Sequence, residues 1–273
     1  MKAVVFHEHG GPEVLRYEDV PEPKPGRGEV VIKVRATSIN HIDIFLRHGM
    51  PGVKVPAHIV LPIPDSISFE EAAAAPLVFL TAWSMMVIKG NIRPGEDVLI
   101  LGAGAGVGTA AIQIAKMAGC RVFAAASTED KLERARELGA DVLINYKAEE
   151  FDRKIRDLTN KRGVDVVVDY IGADTWVRSL RSARRGGRVL TCGATTGFAP
   201  QTDLRQIFFR QVQVIGSTMG SHREFLDVMK CVFRGQLRPV IDRVLPLAEA
   251  RKGHELIEQR HVFGKVVLTP TED

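Results

Sequence analysis

Cysteine is scarce in this 273-residue chain: Cys120, Cys192 and Cys231 stand far apart, and none forms a C-x-x-C pair. That argues against a disulfide framework and against a cysteine zinc site, and fits a reducing cytoplasm. No apolar run reaches membrane-spanning length. The start, Met1-Lys2-Ala3-Val4-Val5-Phe6, reads as a strand and lacks the layout of a secretory leader. The expectation is a cytoplasmic protein with no membrane partner. Neither sign of charge is in large excess, with 37 Lys and Arg against 33 Asp and Glu. So mild a balance suits an anionic ligand and makes no demand for nucleic acid. What the chain has in quantity is apolar residues, 45%, enough for a buried core in one large domain or two smaller ones.

The most informative stretch runs from Asp97 to Met117. An apolar strand, Asp97-Val98-Leu99-Ile100-Leu101, leads into Gly102-Ala103-Gly104-Ala105-Gly106-Val107-Gly108, and a helix-forming run, Thr109–Met117, follows at once. Glycine has no Cβ, so the backbone turns sharply and a ligand can approach its N–H groups. The helix start aims unpaired N–H groups and a partial positive charge at the same place. Together they form a diphosphate cradle. Strict G-x-G-x-x-G is not met, because position 107 is valine. Gly102-x-x-Ala105-x-x-Gly108 fits a relaxed form, with Gly106 added. Such a turn by itself can merely let a strand pack on a helix. Here Gly119 ends the helix and a new strand, Arg121–Ala126, follows within a βαβ length, which favours nucleotide binding.

Helix and strand keep alternating through Asp130–Leu138, Asp141–Tyr146, Glu149–Asn160, Val164–Tyr170, Thr175–Ala183, Gly187–Gly193, Val212–Gly216 and Ser221–Arg234. Repeated βα units predict a doubly wound parallel sheet with ligands at the carboxyl ends of its strands. The ends of the chain differ. Residues 1–65 hold strand signals at Lys2–Phe6, Val14–Asp19 and Glu29–Ala36. Among and after them lie Pro21, Pro23, Pro25, Pro51, Pro56, Pro62 and Pro64, which suits the loops and edges of a small β unit. Ile241–Pro270 reads strand, helix, strand, and a long helix, Phe69–Ile88, joins the parts. The expected architecture is α/β: a dinucleotide-binding domain with its linking helix over 66–239, and a mainly β unit built from 1–65 and 240–273.

In order along the chain stand Met1-Lys2-Ala3-Val4-Val5, Gly11-Pro12-Glu13-Val14-Leu15, Gly28-Glu29-Val30-Val31-Ile32-Lys33-Val34, Ser38-Ile39-Asn40-His41-Ile42-Asp43, Ala72-Ala73-Ala74-Ala75-Pro76-Leu77, Leu80-Thr81-Ala82-Trp83, Arg93-Pro94-Gly95-Glu96 and Gly264-Lys265-Val266-Val267-Leu268. With the glycine loop, these resemble the medium-chain dehydrogenase/reductase family, and within it the zinc-type alcohol dehydrogenase-like and quinone oxidoreductase-like members. The resemblance covers nearly all of the chain and implies a Rossmann domain beside a GroES-like barrel. One departure is large. After His58-Ile59-Val60 the family continues its barrel, whereas here Leu61-Pro62-Ile63-Pro64-Asp65-Ser66 follows directly. The gap is about 70 residues, enough for several strands with their turns. The strands left in residues 1–65 are too few to close a barrel, so the expected unit is a truncated remnant with open sheet edges.

The resemblance assigns roles, each with a plainer counterpart. The zinc enzymes take a ligand cysteine at the position of Asn40, a poor zinc ligand, and a relay hydroxyl at the position of Ile42; no metal is expected. An NAD site places a carboxylate at the end of the second strand, but here that strand ends Ala125-Ala126-Ser127. Ser127, Lys131 and Tyr146 match NADP-binding positions, so NADP is preferred; Glu129 and Asp130 keep NAD open, and Ser127-x-x-Asp130 also reads as a helix cap. Thr81 matches a threonine near the cofactor, or is a helix hydroxyl bonded within its own turn. Lys265 matches a basic residue reaching the pyrophosphate, or is a strand-edge lysine. Gly172, Gly193 and Ala194 let a nicotinamide approach, or are turn residues. Asn40, His41 and Asp43 match a substrate-facing segment, or form an ordinary strand-to-helix turn. His7-x-His9 has metal spacing on a strand but no third partner. Cys192 reads as a small buried strand residue before a nucleophile. Arg178, Arg181, Arg184, Arg185 and Arg188 read as a solvated helix face before a nucleic-acid site.

The implied activity is hydride transfer from NADPH to a quinone or enone, with Asn40 binding the acceptor oxygen and water or His41 supplying the proton. A zinc-type alcohol dehydrogenase homologue and an NADP-binding module with little turnover are the alternatives. The implied partners are a small carbonyl or quinone substrate and further copies of the chain, as a homodimer or homotetramer.

Overall fold

The computed structural model describes residues 1–27, 29–50 and 61–270. Gly28, Pro51, Pro56 and the expected junction at His58-Ile59-Val60 lie outside the described residues. In chain order come β1 (Lys2–Val5), β2 (Arg16–Asp19), β3 (Thr37–Ser38), α1 (His41–Arg47), α2 (Phe69–Ala74) and α3 (Pro76–Trp83). Then follow β4 (Asp97–Leu101), α4 (Gly106–Met117), β5 (Arg121–Ala126), α5 (Glu129–Glu137), β6 (Val142–Asn145), α6 (Phe151–Leu158) and β7 (Val164–Val168). The last are α7 (Trp176–Ser182), β8 (Ala183–Thr191), α8 (Arg205–Phe208), β9 (Gln213–Gly216), α9 (His222–Phe233), β10 (Ile241–Pro246), α10 (Ala250–Glu258) and β11 (Lys265–Thr269). The chain divides into two units, Met1–Ala74 with Val240–Asp273, and Ala75–Pro239.

The second unit carries one six-stranded sheet in the order β6-β5-β4-β7-β8-β9, every neighbouring pair parallel. Its central strands are apolar on both faces and wholly buried, as a sheet covered by helices on both sides requires. Leu99, Leu101, Phe123, Ile144, Phe151, Val167 and Leu180 share one core cluster. The chain leaves β4 toward β5 on one side and returns as β7 on the other, so the loops at their carboxyl ends diverge and open a crevice. Gly119 and Gly139, with φ of +77° and +101°, close α4 and α5 in the left-handed conformation that ends helices.

The expected long helix Phe69–Ile88 is broken. Pro76 has no N–H to donate, so α2 stops at Ala74 and α3 starts afresh. Ser84–Lys89 then winds into a wider turn, with the Gly90 N–H reaching Met85 O at 2.8 Å. The arginine cluster is not one helix face. Arg184 and Arg188 lie in β8, where Arg184 pairs with Asp165 and Arg188 with Glu96.

The first unit has a β1–β2 antiparallel pair and a three-stranded sheet, β10-β11-β3. Ile39, Ile44, Leu245, Ile257, Val266 and Leu268 form its core. The strand expected over Glu29–Ala36 is absent, and only Thr37–Ser38 pairs, with β11. A strand needs a neighbour to take its N–H and C=O groups; none of the described residues pairs with Val30–Val34. Val30 and Ile32 are consequently 70% and 69% exposed.

Asp165, buried in β7, shows what fastens the second unit. It accepts from Asp97 N–H (2.9 Å), Arg162 Nη2 (2.6 Å) and Arg184 Nε (2.5 Å). Burial pushes its carboxyl up, but these donors prevail and hold it below the usual carboxylate range. A depressed folded pKa stabilises above the unfolded value, and that contribution is lost as pH falls through the folded one. Asp165→Ala is expected to lower the unfolding free energy by about 3 kcal/mol at neutral pH. In urea titrations the difference from the native chain should narrow below about pH 4.

Candidate functional site

The glycine loop is shaped by backbone demands. Gly102 sits at φ +63°, a conformation open to glycine. Its carbonyl accepts the Ala105 N–H at 2.8 Å, and the Ala103 N–H reaches Ala125 O at 3.0 Å. Ala105 then caps α4 with no side-chain bond, and the first turn holds no acidic residue. The N–H groups of Gly106, Val107 and Gly108 therefore have no partner within the helix. A Cβ on Gly108 would lie 2.4 Å from Gly102 O and 2.6 Å from the Tyr170 hydroxyl. That hydroxyl donates to Gly102 O at 2.7 Å, and burial pushes its pKa well above the ordinary phenol value. Bare amides, no competing carboxylate and a backbone pressed close together fit the diphosphate of a dinucleotide. Tyr170 was missed in the sequence. The available signal is that β4 and β7 are neighbours in the sheet, so the residue just past β7 can brace the turn after β4.

Beyond β5 the cap expected from Ser127 is made by Thr128, whose Oγ1 accepts from the Lys131 N–H at 3.4 Å. The half-buried Ser127 hydroxyl takes no part in it. Glu129 accepts from the Asn145 amide at 2.6 Å. Tyr146, half-buried against the core, follows β6, and its N–H reaches Ala126 O at 3.2 Å beside the end of β5. Thr81 does not bond within its own turn; it is buried and donates to Met219 Sδ at 3.8 Å, a weak acceptor.

At the carboxyl ends of β8 and β9, Gly193 and Ala194 help line a cavity of about 480 Å³ with Lys89, Cys192, Phe198 and Ser217. The Ser217 hydroxyl is buried there with no hydrogen-bond partner among the described residues, a state that calls for a ligand or a water. Sequence reasoning passed over Ser217, although it follows β9 more closely than Gly193 follows β8. Gly172, at φ +96°, has a packing duty: a Cβ there would come within 2.7 Å of Gly197 O and 2.8 Å of Ala194 Cβ. Burial, then Asp169, pushes the Cys192 thiol up to about 12, which leaves no thiolate to act as nucleophile.

In the first unit the substrate-facing segment is tightly organised. Asp43 accepts the Asn40 N–H at 2.7 Å at the start of α1. Lys265 is no edge lysine: β11 is the middle strand of its sheet and the residue is 4% exposed. Its ammonium donates to Ile39 O and to Asn40 Oδ1, each at 2.5 Å, while Asn40 Nδ2 donates to Ser38 O at 3.0 Å. The amide is thus oriented, with its second N–H left to point at an acceptor. Burial pushes Lys265 down to about 8 against the pull of Asp43, and burial likewise raises the Asp43 carboxyl. The His41 ring keeps solvent contact, but the protein packed around it, then the Lys265 and Arg260 charges, lower its pKa. His41 is therefore neutral at neutral pH. The paired histidines near the N-terminus diverge: His7 meets Glu18 at 2.9 Å and His9 meets Arg47 O at 3.3 Å. Among the described residues no three His, Cys, Asp or Glu side chains group to hold a metal.

A family model described as zinc-binding dehydrogenase matches residues 106–234. A crystal structure of an NAD-dependent alcohol dehydrogenase is 37% identical, covers 98% of this chain and 99% of its own, and superposes with a TM-score of 0.92. The quinone oxidoreductase of Pseudomonas aeruginosa is 29% identical over 98% of this chain and 99% of its own length. The Escherichia coli quinone oxidoreductase complexed with NADPH is 26% identical, covers 99% of this chain and 100% of its own, and superposes with a TM-score of 0.90. The chain belongs to the medium-chain dehydrogenase/reductase family. It is an enzyme of the oxidoreductase class, shorter than its relatives. The alignment with the Pseudomonas protein spans 325 positions, so at least 325 − 273 = 52 of them face gaps in this chain.

The packing at the loop is testable by a mutant cycle. Gly108→Ala is expected to cost about 1–3 kcal/mol of stability, and Tyr170→Phe about 1 kcal/mol. Because the added methyl collides partly with the Tyr170 hydroxyl, the double variant should lose less than the sum in denaturant unfolding.

Proposed function

We propose that this enzyme uses NADPH to reduce an electron-poor C=C–C=O acceptor, a quinone or an enone, without a metal ion. The observation that carries this is the Asn40 amide, oriented by Lys265 at the position where the zinc enzymes need a thiolate. Asparagine is a poor zinc ligand, but a fixed amide N–H suits an oxygen that gains negative charge. Bound NADPH supplies the hydride. The bare amides of Gly106, Val107 and Gly108 would hold its diphosphate, with Gly102 and Ala105 shaping the turn. Ser127, Lys131 and Tyr146 hold the 2′-phosphate end. Thr81, Gly193, Ala194 and Ser217 serve the nicotinamide side. Charge arriving on the acceptor oxygen is met by the remaining Asn40 N–H and by the nearby Lys265 ammonium. The closing proton comes from water, since a neutral imidazole at His41 is a weak acid.

Two similar enzymes are described with different cofactors, NAD for the alcohol dehydrogenase and NADPH for the Escherichia coli protein. The absence of a carboxylate directly after β5 favours the second for this chain. A second reading has its own support. The first unit holds an open cavity of about 1220 Å³, with Val30 and Ile32 in its wall. A site open to water fixes its substrate poorly, so the chain can act chiefly as an NADP-binding module.

Steady-state oxidation of NADPH with a naphthoquinone separates these readings. The expected result is chelator-insensitive turnover, with Asn40→Ala lowering kcat/KM about 100-fold. Tight NADPH binding without turnover supports the module, and chelator-sensitive alcohol oxidation restores the zinc reading. NADPH should bind more tightly than NADH, and Ser127→Asp should reverse that order. Lys265 is charged below its pKa of about 8, so activity should decline as pH rises through that value. Lys265→Met should lower the rate at neutral pH and remove this alkaline decline.

A further inference from the structure

The residues that follow the wide turn Ser84–Lys89 fix where it ends. Gly90 lies against β8, where a Cβ would come within 2.6 Å of Leu190 Cδ1 and 2.8 Å of Met85 O. Arg188 of β8 donates to Gly90 O and, at 2.8 Å, to Asn91 O. The charge of Arg188 is itself answered by Glu96. The main chain just past Lys89 is thus pinned to β8. Lys89 is exposed and lines the cavity at the carboxyl ends of β8 and β9. Among the described residues its ammonium has no hydrogen bond or ion pair. Wide turns of this kind within helices occur often at functional sites.

The rest of the lining suits a negative group. The Ser217 N–H reaches Thr191 O at 2.8 Å, which fixes Ser217 one residue past β9. Its hydroxyl is buried without a partner among the described residues. Cys192 contributes a neutral thiol, since burial pushes its pKa up to about 12, and Phe198 contributes an apolar surface. Among the described residues no Asp or Glu lines the cavity, so no carboxylate there competes for the ammonium. Its volume of about 480 Å³ lies within the range of small-molecule sites.

We propose that Lys89 and Ser217 form a subsite for a carboxylate carried by the acceptor, so that the enzyme prefers C=C–C=O compounds bearing an acid group. This rests on the proposed reaction, because the cavity shares Gly193, Ala194 and Ser217 with the nicotinamide side. A carboxylate accepts from an ammonium and a hydroxyl at once, and charge-assisted bonds of this type are the strong ones. It also satisfies the one hydroxyl that the fold leaves unpaired. An ester of the same shape brings no charge and a weaker acceptor. Lys89 therefore sets which acceptor is chosen, while the hydride transfer itself does not need it.

3-Benzoylacrylate, an enone with a carboxylate beyond its double bond, and its methyl ester test this. Calorimetric titration of the full chain, with NADP+ present so that no turnover occurs, should show the acid binding more tightly than the ester. Lys89→Met should weaken the acid at least about tenfold. It should lower the acid-to-ester ratio of kcat/KM in NADPH oxidation by a similar factor. Lys89→Arg should keep most of that ratio, and Lys89→Glu should reverse it. Ser217→Ala should weaken the acid more than the ester. Position 89 is exposed, and circular dichroism of its variants should match the native chain. A native chain that binds acid and ester alike, or a Lys89→Met variant that loses both equally, would overturn the proposal. If the acid binds through Lys89 but neither compound nor the naphthoquinone is reduced, the proposed reaction falls and the carboxylate subsite stands. If the naphthoquinone is reduced and the ratio does not depend on Lys89, the subsite falls and the reaction stands.

Discussion

The hydrogen bond from Tyr170 to the carbonyl of Gly102 sits where three demands of the second unit meet. β4 must end and turn, α4 must begin within a few residues, and β7 must pass beside both. The close approach leaves no room for a Cβ at Gly108. A larger residue there would push α4 away from the turn and carry its bare amides with it. The position of these amides is therefore set by packing beneath them, from a neighbouring strand, as much as by the glycines of the turn. Burial disfavours the anion of the phenol and raises its pKa well above the ordinary value, so the donor is kept at neutral pH.

Much of this was legible in the sequence, for physical reasons. Strands buried on both faces are largely apolar, and Val98–Leu101 and Val166–Val168 show it; helices that end in a left-handed residue place glycine there, as at Gly119 and Gly139. Such signals are local. What the sequence hid depends on contacts far along the chain. Tyr170 touches a residue 68 positions away, and Lys265 one 225 away; neither distance is encoded in spacing. Thr128 displaced Ser127 as the cap of α5 because two adjacent hydroxyl residues compete for one position, and only backbone geometry chooses between them.

The misread strand teaches the opposite lesson. Val30–Val34 has high strand propensity, yet propensity in sheets reports a fit to neighbours. With no strand neighbour among the described residues, this apolar run lies as exposed chain. The same reasoning explains why Thr37–Ser38, a few residues on, does pair: β11 is present beside it. Strand formation in the first unit thus follows the inventory of partners more than the residues of the strand itself.

Burial has different consequences on the two sides of Asn40. For Lys265 it lowers the pKa toward the working range without removing the charge, because Asp43 and two carbonyl-type oxygens favour the ammonium. For His41 the neighbouring cations add to the effect of burial, and the ring is left neutral. One cation is thus kept and the other suppressed by the same small cluster. Two positive groups at this spot would repel each other, and the geometry resolves that conflict in favour of the lysine, whose donors also orient the amide. The charge that remains lies behind the Asn40 carbonyl oxygen, where it draws electron density from the amide and makes its free N–H a better donor.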